Sequence, residues 1–354
     1  MKKKFSEVLE IKNGKNQKSV EVINGAYPIY GSGGEMGRAS NYICEAETII
    51  IGRKGTINNP LFVNEPFWNV DTAFGLCANR KVLFPKYLYH FCKSFDFNTL
   101  STTVTIPSLT KTNLLSIELP LPSLPEQQKI AAHLDSIQSA IDNKKQQLRQ
   151  LDELVKSKFV EMFGENPVES GKWKVETLGD IGKISMCKRV LREQTTPEGD
   201  IPFYKIGTFG KQADAYISRE LFENFKSKYA YPKKGSILIS ASGTIGRSVV
   251  FDGEPAYFQD SNIVWIDNDE SKVLNGFLLY WYGTSPWKVT QGGTISRLYN
   301  SNITEANVII PPLEIQNEFI TFVQKIDTAK SIIKTQLADL QELLDSKMDE
   351  YFGE

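Results

Sequence analysis

The chain has 354 residues, room for two domains that each bury a core, and its 41% hydrophobic and 23% charged residues exclude a disordered or fibrous polymer. The formal net charge of −1 excludes a protein that holds polyanions by bulk charge alone. No apolar run approaches the roughly 20 residues of a membrane helix. Lys2, Lys3 and Lys4 lead into a polar, acidic stretch instead of the apolar core of a signal peptide, so a cytoplasmic protein without membrane contact is expected.

In chain order, residues 1–122 read as short strands broken by Gly, Asn and Pro, with a strand at 48–51 and a short amphipathic helix at Pro85–Ser94. This segment carries 14 Lys and Arg against 10 Asp and Glu and is the one clearly basic part of the chain. Residues 123–164 read as one long helix. Ser123 and Glu126 have the spacing of a capping box, and Leu134, Ile137, Ile141, Leu148, Leu151 and Val155 follow as a heptad seam interrupted by Lys144. Gly164 then acts as a stop signal. Residues 165–310 return to short strands, at 237–240 and 263–266, with a helix near 274–282. Residues 311–354 form a second long helix, with Val323, Ile326, Ile333, Leu337, Leu340 and Leu344 in its seam and Lys330 interrupting it. That last segment has 4 basic residues against 9 acidic ones, enough to repel phosphate. The two seam lysines serve either to fix helix register or merely to carry their charge out to water on long stems; the second is the simpler reading.

The second half repeats the first. At an offset of 189, Glu65-Pro66 meets Glu254-Pro255, Asp71 meets Asp260, Leu109 meets Leu298, Asn113 meets Asn302 and Gln127 meets Gln316. Tyr27-Pro28-Ile29-Tyr30 meets Ile201-Pro202-Phe203-Tyr204 at an offset of 174, so the second copy holds extra residues in its middle. A seam about 40 residues long must be covered, and the other copy's helix covers it most simply. The expected fold is α+β: two strand-rich domains separated by two long helices forming an antiparallel coiled coil, a pseudo-two-fold symmetric internal repeat. Each helix, at 1.5 Å per residue, is roughly 60 Å long and acts as a ruler between the domains.

Three features resemble the specificity subunits of Type I restriction–modification systems. They are the Pro-x-Leu-x-x-Gln starts of both long helices (122–127 and 311–316), the Gly-Thr-Ile elements at Gly55-Thr56-Ile57 and Gly243-Thr244-Ile245, and the alternation of domain and helix taken twice. The resemblance covers essentially the whole chain. It implies a target recognition domain at 1–122, a spacer helix at 123–164, a second target recognition domain at 165–310 and a second spacer helix at 311–354. It also implies a bipartite, asymmetric double-stranded DNA target, docking of two modification (methyltransferase) subunits that carry S-adenosylmethionine, and docking of restriction (motor-nuclease) subunits. The chain itself would bind no cofactor and catalyse nothing. In this sequence the second helix is acidic and the first is neutral, so the two docking surfaces differ in charge.

Base readout needs side-chain donors and acceptors that reach groove edges. In the first domain the candidates are Arg53, Lys54 and Thr56 on a glycine-flanked turn, Arg38 as the contact of a flexible turn running from Gly31 to Arg38, and Thr105 and Lys111 in the segment shared by both copies. The glycine series from Gly31 to Gly37 fails as a dinucleotide loop, because its third glycine is late and no ribose-binding acid follows. In the second domain the candidates are Lys188, Arg189 and Arg192, then Ser242, Thr244 and Arg247, then Gln291, Thr294 and Arg297. Each basic residue alone is more often a solvated surface charge than a contact; the clusters carry the expectation. Cys44, Cys77, Cys92 and Cys187 are scattered and read as reduced structural thiols, His90 and His133 are too few for a metal cage, and Trp68, Trp265, Trp281 and Trp287 read as core. The nearest approaches to an amino-methyltransferase motif, Asn59-Pro60-Leu61 and Asn166-Pro167-Val168, lack the second proline, and no phosphate-binding loop is present. The alternative function is a coiled-coil adaptor that joins proteins without DNA specificity.

Overall fold

The computed structural model describes residues 1–100, 107–243, 245–284 and 297–353, and the chain divides into two compact units: Met1–Arg149 with Ser331–Glu354, and Gln150–Lys330. The sequence's four-part division ran each long helix as a separate segment; here each helix is shared between the units. The first unit begins β1 (Lys2–Lys4), α1 (Phe5–Val8), β2 (Leu9–Asn13), β3 (Tyr27–Gly31), β4 (Gly34–Ala39) and β5 (Thr48–Gly52). It continues β6 (Leu61–Val63), β7 (Trp68–Asn69), β8 (Ala73–Ala78), α2 (Pro85–Ser94), α3 (Lys111–Leu115), β9 (Glu118–Pro120) and the start of α4 (Leu124–Phe163). The second unit follows with β10 (Lys174–Thr177), α5 (Leu178–Ile181), β11 (Gly182–Ser185), β12 (Ile201–Tyr204), β13 (Tyr216–Ile217) and α6 (Arg219–Lys228). Its remaining elements are β14 (Ile237–Ser240), β15 (Ser248–Val250), β16 (Tyr257–Phe258), β17 (Ile263–Asn268), α7 (Asn275–Thr284), α8 (Asn300–Thr304), β18 (Asn307–Ile310) and the start of α9 (Leu313–Phe352).

The repeat is one of topology as well as sequence. Sheet order β2-β8-β5-β6 recurs as β11-β17-β14-β15, β4-β3-β7 as β13-β12-β16, and β1-β9 as β10-β18. In both units the central three-stranded sheet includes one parallel pair, β3 with β7 and β12 with β16. The strands at 48–51 and 237–240 each carry three consecutive apolar residues, 49–51 and 237–239, because both of their faces are covered. Ile49 and Ile51 enter the main core of the first unit while Ile50 joins a second cluster with Cys44, Val63, Phe67 and Ala73. Ile237 and Ile239 likewise enter one core of the second unit and Leu238 the other. Alternate residues of a strand point to opposite faces, so a two-sided core demands a continuous hydrophobic run.

A buried glutamine joins each strand-rich part to its long helix. Gln127 is fully buried; its Oε1 accepts from Phe84 N at 2.8 Å and its Nε2 donates to Val82 O and Pro122 O, both at 2.9 Å. Gln316 repeats this, accepting from Leu274 N at 2.8 Å and donating to Lys272 O at 2.9 Å and Pro311 O at 2.7 Å. The last residue of the Pro-x-Leu-x-x-Gln motif is therefore a three-bond clamp between the start of a long helix and the turn before α2 or α7. With its amide satisfied, the buried polar group costs little; without it, three backbone groups would lose a partner.

Within each unit the two long helices run antiparallel. In the second unit Lys330 Nζ meets Asp152 Oδ1 at 2.6 Å, and further along the pair the rings of Phe159 and Phe319 lie 5.6 Å apart. In the first, His133 Nδ1 is 3.0 Å from the Tyr351 hydroxyl, and Leu344 of α9 shares a core with Leu134, Ile137 and Ile141 of α4. The seam is covered unevenly. Leu134, Ile137, Ile141, Val155 and Leu344 are buried, whereas Leu148, Leu151, Val323, Ile326, Ile333, Leu337 and Leu340 are half-buried. The buried positions have a strand-rich domain over them as well as the partner helix. Of the half-buried ones, Leu337 and Leu340 still lean on the first unit's core and Val323 and Ile326 on the second's, while Leu148, Leu151 and Ile333 join neither. A half-covered side chain gains about half of the roughly 1.5–3 kcal/mol that full burial gives. Lys330 does not simply reach out to water: its ammonium is paired with Asp152 and its side chain is 18% exposed.

Candidate nucleic-acid interface

In the first unit the candidate turn leaves the end of β5. A Cβ on Gly52 would lie 2.1 Å from Thr56 O, so the tight return of the loop requires glycine there, and Gly55 has φ +75°, a conformation that also favours it. The turn is not a free hairpin tip. Arg53 N donates to Thr72 O at 2.8 Å, Leu109 N donates to Arg53 O at 2.9 Å, and Gly55 N donates to Pro107 O at 3.1 Å. A backbone bridge pairs Lys54 with Ser108. The segment that runs from Pro107 into α3 is thus tied to the turn, which places Lys111, the exposed first residue of α3, on the same end of the unit as Arg53, Lys54 and Thr56, all exposed. The Arg53 guanidinium lies 5.9 Å from the Phe74 ring centroid, a contact that steadies its stem while leaving its donors outward.

Arg38 departs from expectation. It sits in strand β4, opposite Pro28 of β3, and only residues 31 to 34 make the turn. Its Nε is 3.5 Å from Glu35 Oε1, so part of its charge is already answered on the same strand. The glycines that suggested a flexible loop are mostly strand residues. Ser32, at the turn itself, is the part of this hairpin that approaches β5: a Cβ on Gly52 would lie 3.0 Å from Ser32 Cβ.

In the second unit the candidates gather on one turn, Asp260-Ser261-Asn262, which precedes β17. Arg189 Nε donates to Asp260 Oδ2 at 2.9 Å, an Arg297 Nη donates to Ser261 O at 2.7 Å, and Ser242 Oγ lies 2.9 Å from Asn262 Oδ1. Ser261 itself has φ +58°, uncommon for serine and the sort of strain that surrounding contacts must hold. Lys188 is exposed, and its backbone N donates to the buried Tyr257 hydroxyl at 3.1 Å. Arg247 stands on the adjoining loop, its guanidinium donating to Phe209 O at 2.8 Å, and Arg192 is exposed in a single-turn helix, Arg192–Gln194. Thr105, Thr244, Gln291, Thr294 and Trp287 lie outside the described residues.

The backbone frame is the same in both units. Ala241 N donates to Asn262 O and Leu298 N donates to Ala241 O, both at 2.8 Å, matching the bonds of Arg53, and the Lys54–Ser108 bridge returns as Ser242–Arg297. What sequence reasoning missed was the turn that organises the second surface. Its one legible trace was the match of Asp71 with Asp260 in the repeat.

Elsewhere the polar groups serve packing. His90 is 3% exposed, with Nε2 2.9 Å from Asp135 Oδ1, and Lys86 Nζ approaches the other carboxylate oxygen at 2.5 Å, tying α2 to α4. Burial holds the His90 imidazole below its ordinary pKa despite that carboxylate. Burial alone would raise the Asp135 carboxyl, but hydrogen bonds from Lys86 and His90 outweigh it and hold it below the usual range. Cys44, Cys92 and Cys187 are buried free thiols. Among the described residues no helix is long and apolar enough to cross a membrane, and no three His, Cys, Asp or Glu side chains converge as a metal-ligand set.

The family model for the Type I restriction modification DNA specificity domain matches the chain twice, over residues 1–153 and 170–342. A Haemophilus influenzae protein provisionally named type I restriction enzyme specificity subunit S.HindORF215P is 40% identical over 341 residues, 94% of this chain and 88% of that protein. The fold is shared with the S subunit of a Type I restriction–modification system from M. genitalium, at a TM-score of 0.64 and 18% identity over 100% of this chain and 96% of that one. It is also shared with a chain from a study of complex assembly and conformational transition in the type I restriction–modification system, at a TM-score of 0.61 and 15% identity over 99% and 97%. Two matched copies of one specificity domain, each ending in a clamped long helix, place this chain in the Type I restriction–modification DNA specificity family.

Proposed function

We propose that each unit reads one half of a bipartite, asymmetric double-stranded DNA target, through the Arg53, Lys54, Thr56 and Lys111 surface in the first and the Lys188, Arg189, Ser242 and Arg297 surface in the second. The observation that carries this reading is the repeated backbone frame with different side chains mounted on it. A fixed frame supplies a fixed approach to a groove, and exchanged side chains supply different base preferences. The long helices dock two methyltransferase subunits, which bring S-adenosylmethionine, and restriction subunits join that assembly. In this reading the specificity subunit is non-catalytic and works in the cytoplasm. With a charge near zero overall, its partners provide much of the phosphate neutralisation. Methylation takes the adenine out of the base stack, so the subunit's task is to hold the duplex in register while that happens.

The test is a domain exchange in the assembled methyltransferase. Residues 1–122 are replaced by the first domain of another family member, and methylated adenines are mapped across genomic DNA. One half of the methylated motif should change and the other persist. Simultaneous change of both halves would sink the two-reader assignment.

A further inference from the structure

Among the described residues, the second unit carries a helix with no counterpart in the first. Eight residues connect β4 to β5, whereas nineteen connect β13 to β14, and α6 lies within that longer connection. Helix α6 is well determined by its sequence. The Ser218 side chain accepts from Leu221 N at 3.2 Å as the N-cap, Phe222 is buried at 1% exposure, and its acidic residues come early while Lys226 and Lys228 fall in the last turn. That distribution suits the helix dipole on its own. The dipole gives no reason, however, for an ammonium to lie over a ring.

Two ammonium groups at this end are seated on aromatic rings. Lys226 Nζ is 5.2 Å from the centroids of both Phe222 and Tyr231, and Lys188 Nζ is 5.1 Å from that of Tyr229, which is 45% exposed just beyond the helix. Tyr231 stacks on Tyr257, whose hydroxyl accepts from Lys188 N, and the next residue, Arg189, pairs with Asp260. The end of α6 is therefore continuous with the second reading surface. Among the described residues, Lys188, Lys226, Lys228 and Arg192 have no carboxylate within ion-pair distance. Aromatic faces steady a cation without neutralising it, so Lys188 and Lys226 are held in place with their charge unanswered, and Lys228 adds a further exposed charge at the same helix end.

Resting on the DNA-reading assignment above, we propose that α6 extends the second unit's footprint along the phosphodiester backbone, with Lys226 and Lys228 as phosphate contacts next to Lys188 of the reading surface, Lys226 being steadied by Phe222 and Tyr231. The contact is to phosphate and adds affinity without adding base preference. It also gives the two units unequal shares of the electrostatic binding.

The experiment measures binding of target duplex by the complete specificity–methyltransferase complex across a salt series. Each phosphate contact contributes about 0.9 to the slope of log affinity against log salt. K228Q should lower the slope by about 1 and K226Q/K228Q by about 2, while the methylated sequence is unchanged. Lys228 rests on no ring in the structure, so K228Q tests the charge apart from the packing of α6. Affinity lost with the slope intact, an unaltered slope in both variants, or a changed methylated motif would each overturn the backbone-contact assignment. Failure of the unsubstituted complex to bind its duplex would instead remove the DNA-reading assignment on which this one stands.

Discussion

At the same bridge in the two units, the cation changes sides. The first unit places Lys54 opposite Ser108, and the second places Ser242 opposite Arg297, with the flanking backbone bonds preserved. The attachment to the long helices shows a similar split between shared frame and private chemistry. Both units use the buried glutamine clamp and both pack rings there, Tyr87 and Phe91 against Phe352 in the first, but the first adds a charged tie from His90 and Lys86 to Asp135, whereas the second relies on a larger aromatic cluster. In the second unit Phe163 lies 5.2 Å from Phe277 and 5.4 Å from Phe319, and Tyr280 lies 4.8 Å from Phe319. Backbone hydrogen bonds and one glutamine hold the geometry that both units must share. Side chains outside that set are free to diverge, and the reading surfaces lie among them.

The largest expected effect breaks the aromatic attachment. Phe163 and Phe319 are fully buried, so Phe163→Ala or Phe319→Ala should cost about 3–5 kcal/mol, and hydrogen exchange should quicken across the second unit first. The corresponding Phe352→Ala in the first unit removes a half-buried ring and should cost about 1–2 kcal/mol. Equal losses would mean that the two attachments do not differ as their contacts suggest. The shared clamp comes next. Gln127→Leu and Gln316→Leu each remove three hydrogen bonds worth about 0.5–1.5 kcal/mol apiece, so each should cost about 2–4 kcal/mol in its own unit, measured by denaturant unfolding with unit-resolved exchange. Near-equality of the two is the informative result, because their bonding is the same.

Much of this was legible in the sequence, for physical reasons that differ by element. The long helices could be read because a heptad period needs no knowledge of the fold, and the strands at 48–51 and 237–240 because two-sided burial leaves three apolar residues in a row, 49–51 and 237–239. How deeply the seam is covered could not be read, since Leu148 and Ile141 look alike in a heptad and differ only in what the domain lays over them. Arg38 was misplaced because glycine marks both turns and strands; the ladder with β3 that decides between them joins the two sides of one hairpin. Beyond the match of Asp71 with Asp260, the Asp260 turn could not be read as an organising point, because Arg189 lies 71 residues before it. Helix α6 left a usable trace in Ser218, Leu221, Phe222 and Phe225, a cap followed by apolar residues at helical spacing.

The smallest effect separates the units by pH. His90 is held below its ordinary pKa by burial, so the folded chain keeps the imidazole neutral while the unfolded chain protonates it near pH 6.5. The resulting stability is present above about pH 6.5 and is lost as pH falls, because the unfolded state takes up a proton that the folded state refuses. Asp135, held below the usual carboxylate range chiefly by Lys86 and His90 against the opposing effect of burial, adds a second loss at lower pH, as that carboxylate is protonated. The aromatic attachment of the second unit has no titrating counterpart at the equivalent positions, Leu279 and Gln324. Exchange in α2 and the first part of α4 should therefore quicken between pH 7 and 5, after correction for intrinsic rates, ahead of exchange in α7. Asp135→Asn removes the partner that favours the charged imidazole, which lowers the His90 pKa further and extends the acid-side loss. A first unit that stays as protected as the second over this range would show that the charged tie contributes nothing to the attachment.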